Sequence, residues 1–234
     1  MEKMLMLVLF LISAVEIRSQ EDMNDKVFVF SETSIKSYVC LIPESDGPYA
    51  ALTVCLKFYT ELARDYSLFS LATTDKDNDF LLYYSHPNKL SVGIGNEELY
   101  FSMERRVEWT ALCVAWNSES GELDLWINGN LKPRRIVRKG YTVNAKPIII
   151  IGQEQDSYGG KFDASQSFVG EISDIQMWDK FMDPANIYTP DNNVYRPIIN
   201  WNKLQYESKG DNVAVLAQMC KFYYSFNCFY TNNA

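Results

Sequence analysis

The feature that most constrains this chain is a recurrence of short apolar runs of strand character, each closed by turn-forming residues, with scarcely any helical period between them. Residues 27–30, 52–59, 66–72, 80–84, 90–94, 109–116, 123–127, 147–151 and 168–178 are rich in Val, Ile, Tyr and Phe and bounded by Asp, Asn, Gly and Ser. Within 52–59, Leu52, Val54, Leu56 and Phe58 alternate with Thr53, Cys55 and Lys57, the period of a strand with one buried face. Asn117-Ser118-Glu119-Ser120-Gly121 reads as a turn joining two strands. One short helix is expected, with Asp183 as N-cap, Pro184 at the first position and Pro190 as its stop. Many strands and almost no helix predict an all-β sandwich or barrel. From Val213 the chain turns apolar and aromatic, through Phe222, Tyr224, Phe229 and Tyr230. That stretch reads as a terminal strand with a packed end, or as a partner-binding patch.

Lys3 precedes an apolar run at residues 4–12, which is too short to span a bilayer at the ~20 residues a helix needs. With Ser19 at a cleavage position, residues 1–19 read as a signal peptide and Gln20 as the mature start of a secreted protein. Five cysteines in such a chain imply disulfides and leave one over. Cys55 and Cys113 lie in strand-like runs and would suit a bridge across a sandwich; Cys220 and Cys228 could pair locally, leaving Cys40. Spacing alone does not fix the pairing. The net charge of −8 argues against nucleic acid as a primary partner. A single histidine, His86, removes most His-based metal sites and Ser-His-Asp chemistry.

The stretch 153–166, Gln-Glu-Gln-Asp-Ser-Tyr-Gly-Gly-Lys-Phe-Asp-Ala-Ser-Gln, is a long loop between two strands. Its oxygen-bearing side chains, with glycines that let the backbone fold back, suit a hard cation such as Ca²⁺, which takes 6–8 oxygen ligands. A second acidic patch, Asp75-Lys76-Asp77-Asn78-Asp79, reads as the turn before the strand at 80–84. Loops of a sandwich cluster at its two ends, so the two patches could converge.

Residues 152–172, with Lys26-Val27-Phe28-Val29-Phe30, Thr53-Val54-Cys55-Leu56 and Lys139-Gly140-Tyr141-Thr142-Val143, resemble the short pentraxins. The resemblance runs from Gln20 to about Gly210, leaving 211–234 as an atypical aromatic, Cys-containing tail. It implies a flattened two-sheet, lectin-like jelly roll, two Ca²⁺ per protomer, and a cyclic, pentameric homo-oligomer. The implied calcium ligands are Asp77, Asn78, Glu154, Gln155 through its carbonyl, Asp156, Asp163 and Gln166, every one an oxygen donor. The carboxylates among them would repel one another without metal, so loop order and calcium should be coupled. The resemblance further implies capture of a phosphate-bearing ligand, phosphocholine-like or an anionic carbohydrate. Tyr83, Gly93 and Glu98 would then receive a cationic head group by cation–π attraction and charge. It also supports Cys55–Cys113 as the core disulfide.

Some positions depart from the family. Ala111 and Ala115 stand where its half-cystine signature has His and Ser or Thr, and the helix region is compressed by Pro190. Complement and Fc-receptor partners are therefore not carried over. Glu122 and Asp124 share a strand face in a β-glucanase-like pattern, but Ile127 stands where a third carboxylate is required. They read as a solvent face, and the chain as a non-enzyme. The basic run 132–139 reads as a charge-guarded edge strand, with glycosaminoglycan binding as its alternative role. A diverged paralogue working mainly through such contacts is the rival to a calcium-dependent recognition protein of innate immunity.

Overall fold

The structure is a computed structural model that describes residues 20–184 and 196–218. The expected signal peptide, most of the expected helix, and Cys220 and Cys228 lie outside those residues. Among the described residues no helix is long and apolar enough to cross a membrane.

Two antiparallel sheets face each other. The first runs β10 (Asn130–Leu131), β9 (Glu122–Ile127), β8 (Thr110–Asn117), β3 (Ala51–Tyr59), β13 (Gly170–Trp178), β1 (Lys26–Phe30) and β15 (Val213–Ala217), with β11 (Arg135–Ile136) also pairing β9. The second runs β14 (Tyr206–Lys209), β2 (Tyr38–Leu41), β12 (Ile148–Ile151), β4 (Tyr66–Thr73), β5 (Lys76–Ser85), β6 (Lys89–Ile94) and β7 (Glu97–Ser102). This is the all-β jelly-roll sandwich that the sequence predicts. Alternation puts Leu52, Val54, Leu56 and Phe58 of β3 inward, against Phe69 and Leu71 of β4, Phe80 and Leu82 of β5 and Ile149 and Ile151 of β12, all buried in one core. Phe168 joins the ring cluster, edge-on to Phe30 at 5.7 Å and to Tyr66 at 5.6 Å.

Several expectations need correction. Cys55 and Cys113 do form a disulfide, but they are directly opposed on β3 and β8 of the same sheet, with Cα atoms 4.1 Å apart. The bridge lies on the outer face of that sheet, so it does not cross the sandwich. The outer face of β3 is also less exposed than its period suggests. Thr53 donates to the Lys180 carbonyl at 2.6 Å and accepts from the Met182 N–H at 2.9 Å, while Trp178 and Met182 pack on the disulfide. Asp124 is not a solvent-face residue: its side chain is 2% exposed beneath Arg134, whose Nε lies 3.0 Å from it and 3.2 Å from Glu122. Asp75–Asp79 is not a simple turn, since β5 already begins at Lys76.

The sequence reading passed over β2, which is only four residues long, and over β7 and β14, whose exposed polar residues dilute the alternation. Val213–Ala217, within the stretch assigned to the tail, is a full strand paired with β1.

The disulfide closes a loop of 58 residues in sequence separation, which the chain-entropy account values at roughly 4 kcal/mol. A Cys55→Ala/Cys113→Ala variant should lose about that much in denaturant unfolding with its far-ultraviolet spectrum unchanged. A loss under ~1 kcal/mol would show that the outer-face packing, not the crosslink, holds β3 to β8.

Candidate metal centre

The loop after β12 lies over the outer face of the second sheet because two glutamines hold it there. Gly152 turns the chain with φ +87°, and a Cβ there would sit 2.3 Å from the Phe30 ring, so the turn tolerates only glycine. Gln153 donates its side-chain amide to the carbonyls of Ser34 and, at 3.1 Å, Ser37. Gln155, fully buried, donates to the carbonyls of Ser70 at 3.0 Å and Ile148 at 3.1 Å. Its side-chain oxygen accepts from the Gly159 N–H at 2.9 Å, closing the loop on itself. With that side chain engaged, Gln155 has only its main-chain carbonyl to offer a cation, as the resemblance implies.

The start of β5 supplies a second wall. Asp77 accepts from the Asn78 N–H at 3.0 Å and from the Asn96 amide at 2.8 Å. Asn96 occupies a left-handed turn (φ 63°) between β6 and β7, and its N–H donates to the Asn78 carbonyl. Asp79 serves the fold instead: fully buried, it accepts from the hydroxyls of Thr73 and Tyr141 and from the Asn144 N–H.

The third wall is a 3-10 turn, Ala164–Gln166, whose N-cap Asp163 accepts from the Ser165 N–H at 2.8 Å. That bond draws the Asp163 carboxyl below its ordinary pKa. Arg64 clamps the turn by donating to the Ser165 carbonyl at 2.9 Å and to the hydroxyls of Thr33 and Ser167. Sequence reading missed Arg64, Ser70 and Asn96. Only Asn96, next to Gly95, carried a turn signal that could have found it.

These walls meet at Glu154. Burial raises its pKa to about 7, helped by the neighbouring charges of Asp156 and Asp77, while the Asn78 amide pulls in the opposite direction. Gln166 reaches the same place through the Tyr83 hydroxyl, which also faces Asp65 and lies within the field of Glu154. Asn78 Oδ1, Glu154 Oε2 and Gln166 Oε1 are each buried without a hydrogen-bond partner. Buried oxygens are normally paired, so three unmet acceptors beside crowded carboxylates are what a hard cation would satisfy. Among the described residues no three His, Cys, Asp or Glu side chains form a metal cage by themselves. The set therefore leans on amide oxygens, and on that chemistry the residues fit calcium.

Beside this centre, the outer face carries the expected pocket residues in register. Gly93 lies opposite Leu81 on β5 and Glu98 on β7, where a Cβ would stand 3.2 Å from the Leu81 Cβ and 3.9 Å from the Glu98 Cγ. Glu98 accepts from the hydroxyls of Ser91 at 2.7 Å and Tyr100 at 2.8 Å. Tyr83 lies one row over, opposite Ser91. The basic run is largely engaged within the fold. Arg134 is held by Glu122 and Asp124, Arg135 lies over the Phe101 ring and Arg138 over the Tyr141 ring.

A two-sheet jelly roll with an oxygen-donor loop on the outer face of one sheet defines the lectin-like class of sandwiches. A model described as the Pentaxin family matches residues 26–215, and the chain belongs to that family, the pentraxins. It is similar to mucosal pentraxin of Bos taurus, 44% identical over 215 residues covering 90% of this chain and 96% of that protein. It is equally similar to C-reactive protein of Xenopus laevis, 44% identical over 209 residues covering 87% and 88%. The heptameric SAP-like pentraxin from Limulus polyphemus superposes with a TM-score of 0.72 at 27% identity, covering 86% of this chain and 99% of that one.

A raised folded-state pKa on a carboxyl means that ionisation opposes folding. For Glu154 the penalty is absent below about 4.5 and complete above about 7. In chelator at pH 8, Glu154→Gln should therefore be more stable than the parent, by roughly 1–3 kcal/mol. The difference should vanish near pH 4.5; a gap independent of pH would mean that Glu154 is not under this strain.

Proposed function

We propose that this protein is a secreted, calcium-dependent recognition module that binds phosphate-bearing ligands, phosphocholine or phosphoethanolamine types or acidic sugars, as a pattern-recognition protein of innate immunity. The observation that carries the reading is the set of unmet acceptors on Asn78, Glu154 and Gln166 beside Asp77 and Asp156. Asp77, Asn78, Glu154, Gln155 through its carbonyl, Asp156, Asp163 and Gln166 would hold two calcium ions per protomer. Bound there, calcium supplies positive charge that attracts the anionic oxygens of a ligand.

The chain's own residues do the remainder. Gln155 and Arg64 fix the two loop segments, and Asn96 aims Asp77. The surface over Gly93, with Glu98 beside it and Tyr83 one row away, receives the cationic end of a zwitterionic head group. Membership of the family, and the Limulus relative's heptamer, support a ring of identical protomers, for which we propose a pentamer. Weak single sites on one face of such a ring would gain strength by avidity. The reading is non-enzymatic: Asp124 lies buried under Arg134 and paired with it at 3.0 Å, and is not free to act as an acid or nucleophile of a hydrolytic pair.

The test is a calcium titration by calorimetry on the protein from Gln20 to Ala234, beside a Glu154→Gln/Asp156→Asn double variant. Two ions per protomer in the parent and loss of binding in the variant are expected, followed by calcium-dependent retention on phosphocholine resin. A folded parent that binds no calcium would overturn the reading.

A further inference from the structure

Away from the metal centre, two adjoining hollows remain without a role. One is on the outer face of the first sheet, the other at the sandwich edge, where Ser102 of the second sheet and Met103 after it come close to Thr110 and Ile127. A slot of about 200 Å³ is walled by Trp109, Lys57 and Ala111. Through Thr110 and Asn128 it joins a groove of about 360 Å³ that runs to Asn130, Arg106 and Lys132 at the sandwich edge.

The slot follows from the strand ladder. Lys57 and Ala111 are directly opposed on β3 and β8, and Asn128 brackets Ala111 by accepting from its N–H and donating to its carbonyl, each at 2.8 Å. A methyl group between two longer neighbours leaves the space. The Lys57 ammonium is held by Asp174 at 2.7 Å, so its methylene stem is what lines the slot. Trp109, tilted 45° to Tyr59, adds an aromatic wall. The groove is different in character. The Asn128 oxygen is engaged, which leaves its amide hydrogens as donors; Asn130 uses its amide on the Asn128 carbonyl, which leaves its oxygen as an acceptor. At the far end Arg106 is shared between Glu104 and Glu108 at 3.4 Å, whereas Lys132 has no ion pair among the described residues.

We propose that this groove is a second, calcium-independent site for an acidic oligosaccharide. A sugar ring presents an apolar C–H face that suits the Trp109 slot, and hydroxyls that both donate and accept, matching the asparagine pair. The unmatched Lys132 charge selects a carboxylate-bearing unit. A purely apolar partner would cover both amides without offering them a hydrogen bond. None of these residues belongs to the calcium donor set, so the site stands whether or not the calcium reading holds.

The experiment uses the full mature chain in excess chelator, with a hyaluronan tetrasaccharide as the acidic probe and cellotetraose as the neutral one. Calorimetry and tryptophan fluorescence follow binding. Saturable binding of the hyaluronan fragment is expected, at least tenfold tighter than that of cellotetraose. Lys132→Ala should abolish that preference, and Trp109→Ala should weaken binding at least tenfold. Ala111→Phe, which fills the slot, should block binding while leaving calcium titration and the unfolding midpoint unchanged. The proposal is overturned if the hyaluronan fragment does not bind in chelator, if both probes bind equally, or if Ala111→Phe, folded as the parent, binds it undiminished.

Discussion

The arrangement depends on one buried amide. Gln155 is surrounded by the carbonyls of Ser70 and Ile148 and by the Gly159 N–H, so its side chain is satisfied only when the loop lies flat on β4. A buried side-chain amide left unpaired carries a full desolvation penalty, which makes this contact close to all-or-none. Once it forms, Glu154 and Asp156 are placed on either side of it in sequence, and Glu154 is brought beside Asp77 and Asn78. The loop therefore gains its position from neutral hydrogen bonds and uses it to bring like charges together.

That division of labour explains the electrostatics. An isolated loop with this many carboxylates would spread apart in water. Here Gln153, Gln155 and Arg64 oppose the spreading from below, and the repulsion shows up locally, as the raised pKa of Glu154 and as acceptors without partners. Local frustration inside a well-packed surround is typical of a functional site, because the packing supplies the stability that the site gives up. The core beneath is conventional by comparison, with rings of Phe30, Phe58, Tyr66 and Phe168 meeting edge to face.

Much of this was legible in the residues. Alternation in Leu52–Phe58 and the apolar run at 148–151 located central strands, because burial on the inner face leaves a period that no other structure shares. The loop at 153–166 was legible as a connection between two strands, because its polar residues and glycines interrupt the apolar runs on either side. What the sequence concealed was depth. Asp124 and Thr53 sit at positions whose period says solvent, yet Arg134 and the segment through Met182 cover them, and period carries no record of a neighbour distant in sequence. The positioning residues were hidden for the same reason. Arg64 and Ser70 hold the loop through contacts 101 and 85 residues away along the chain, and nothing in their own surroundings marks them.

The pairing of β1 between β13 and β15 has a consequence in time. The strand made first, Lys26–Phe30, is flanked by two of the last, Gly170–Trp178 and Val213–Ala217. On a ribosome the amino-terminal strand must wait, with both edges open, until almost the whole chain has emerged. Non-local pairing of this kind makes folding slow and exposes unpaired edges meanwhile. The first sheet is thus completed only once Val213–Ala217 is available, and until then the early edge needs protection, as chaperones provide, from pairing with another copy.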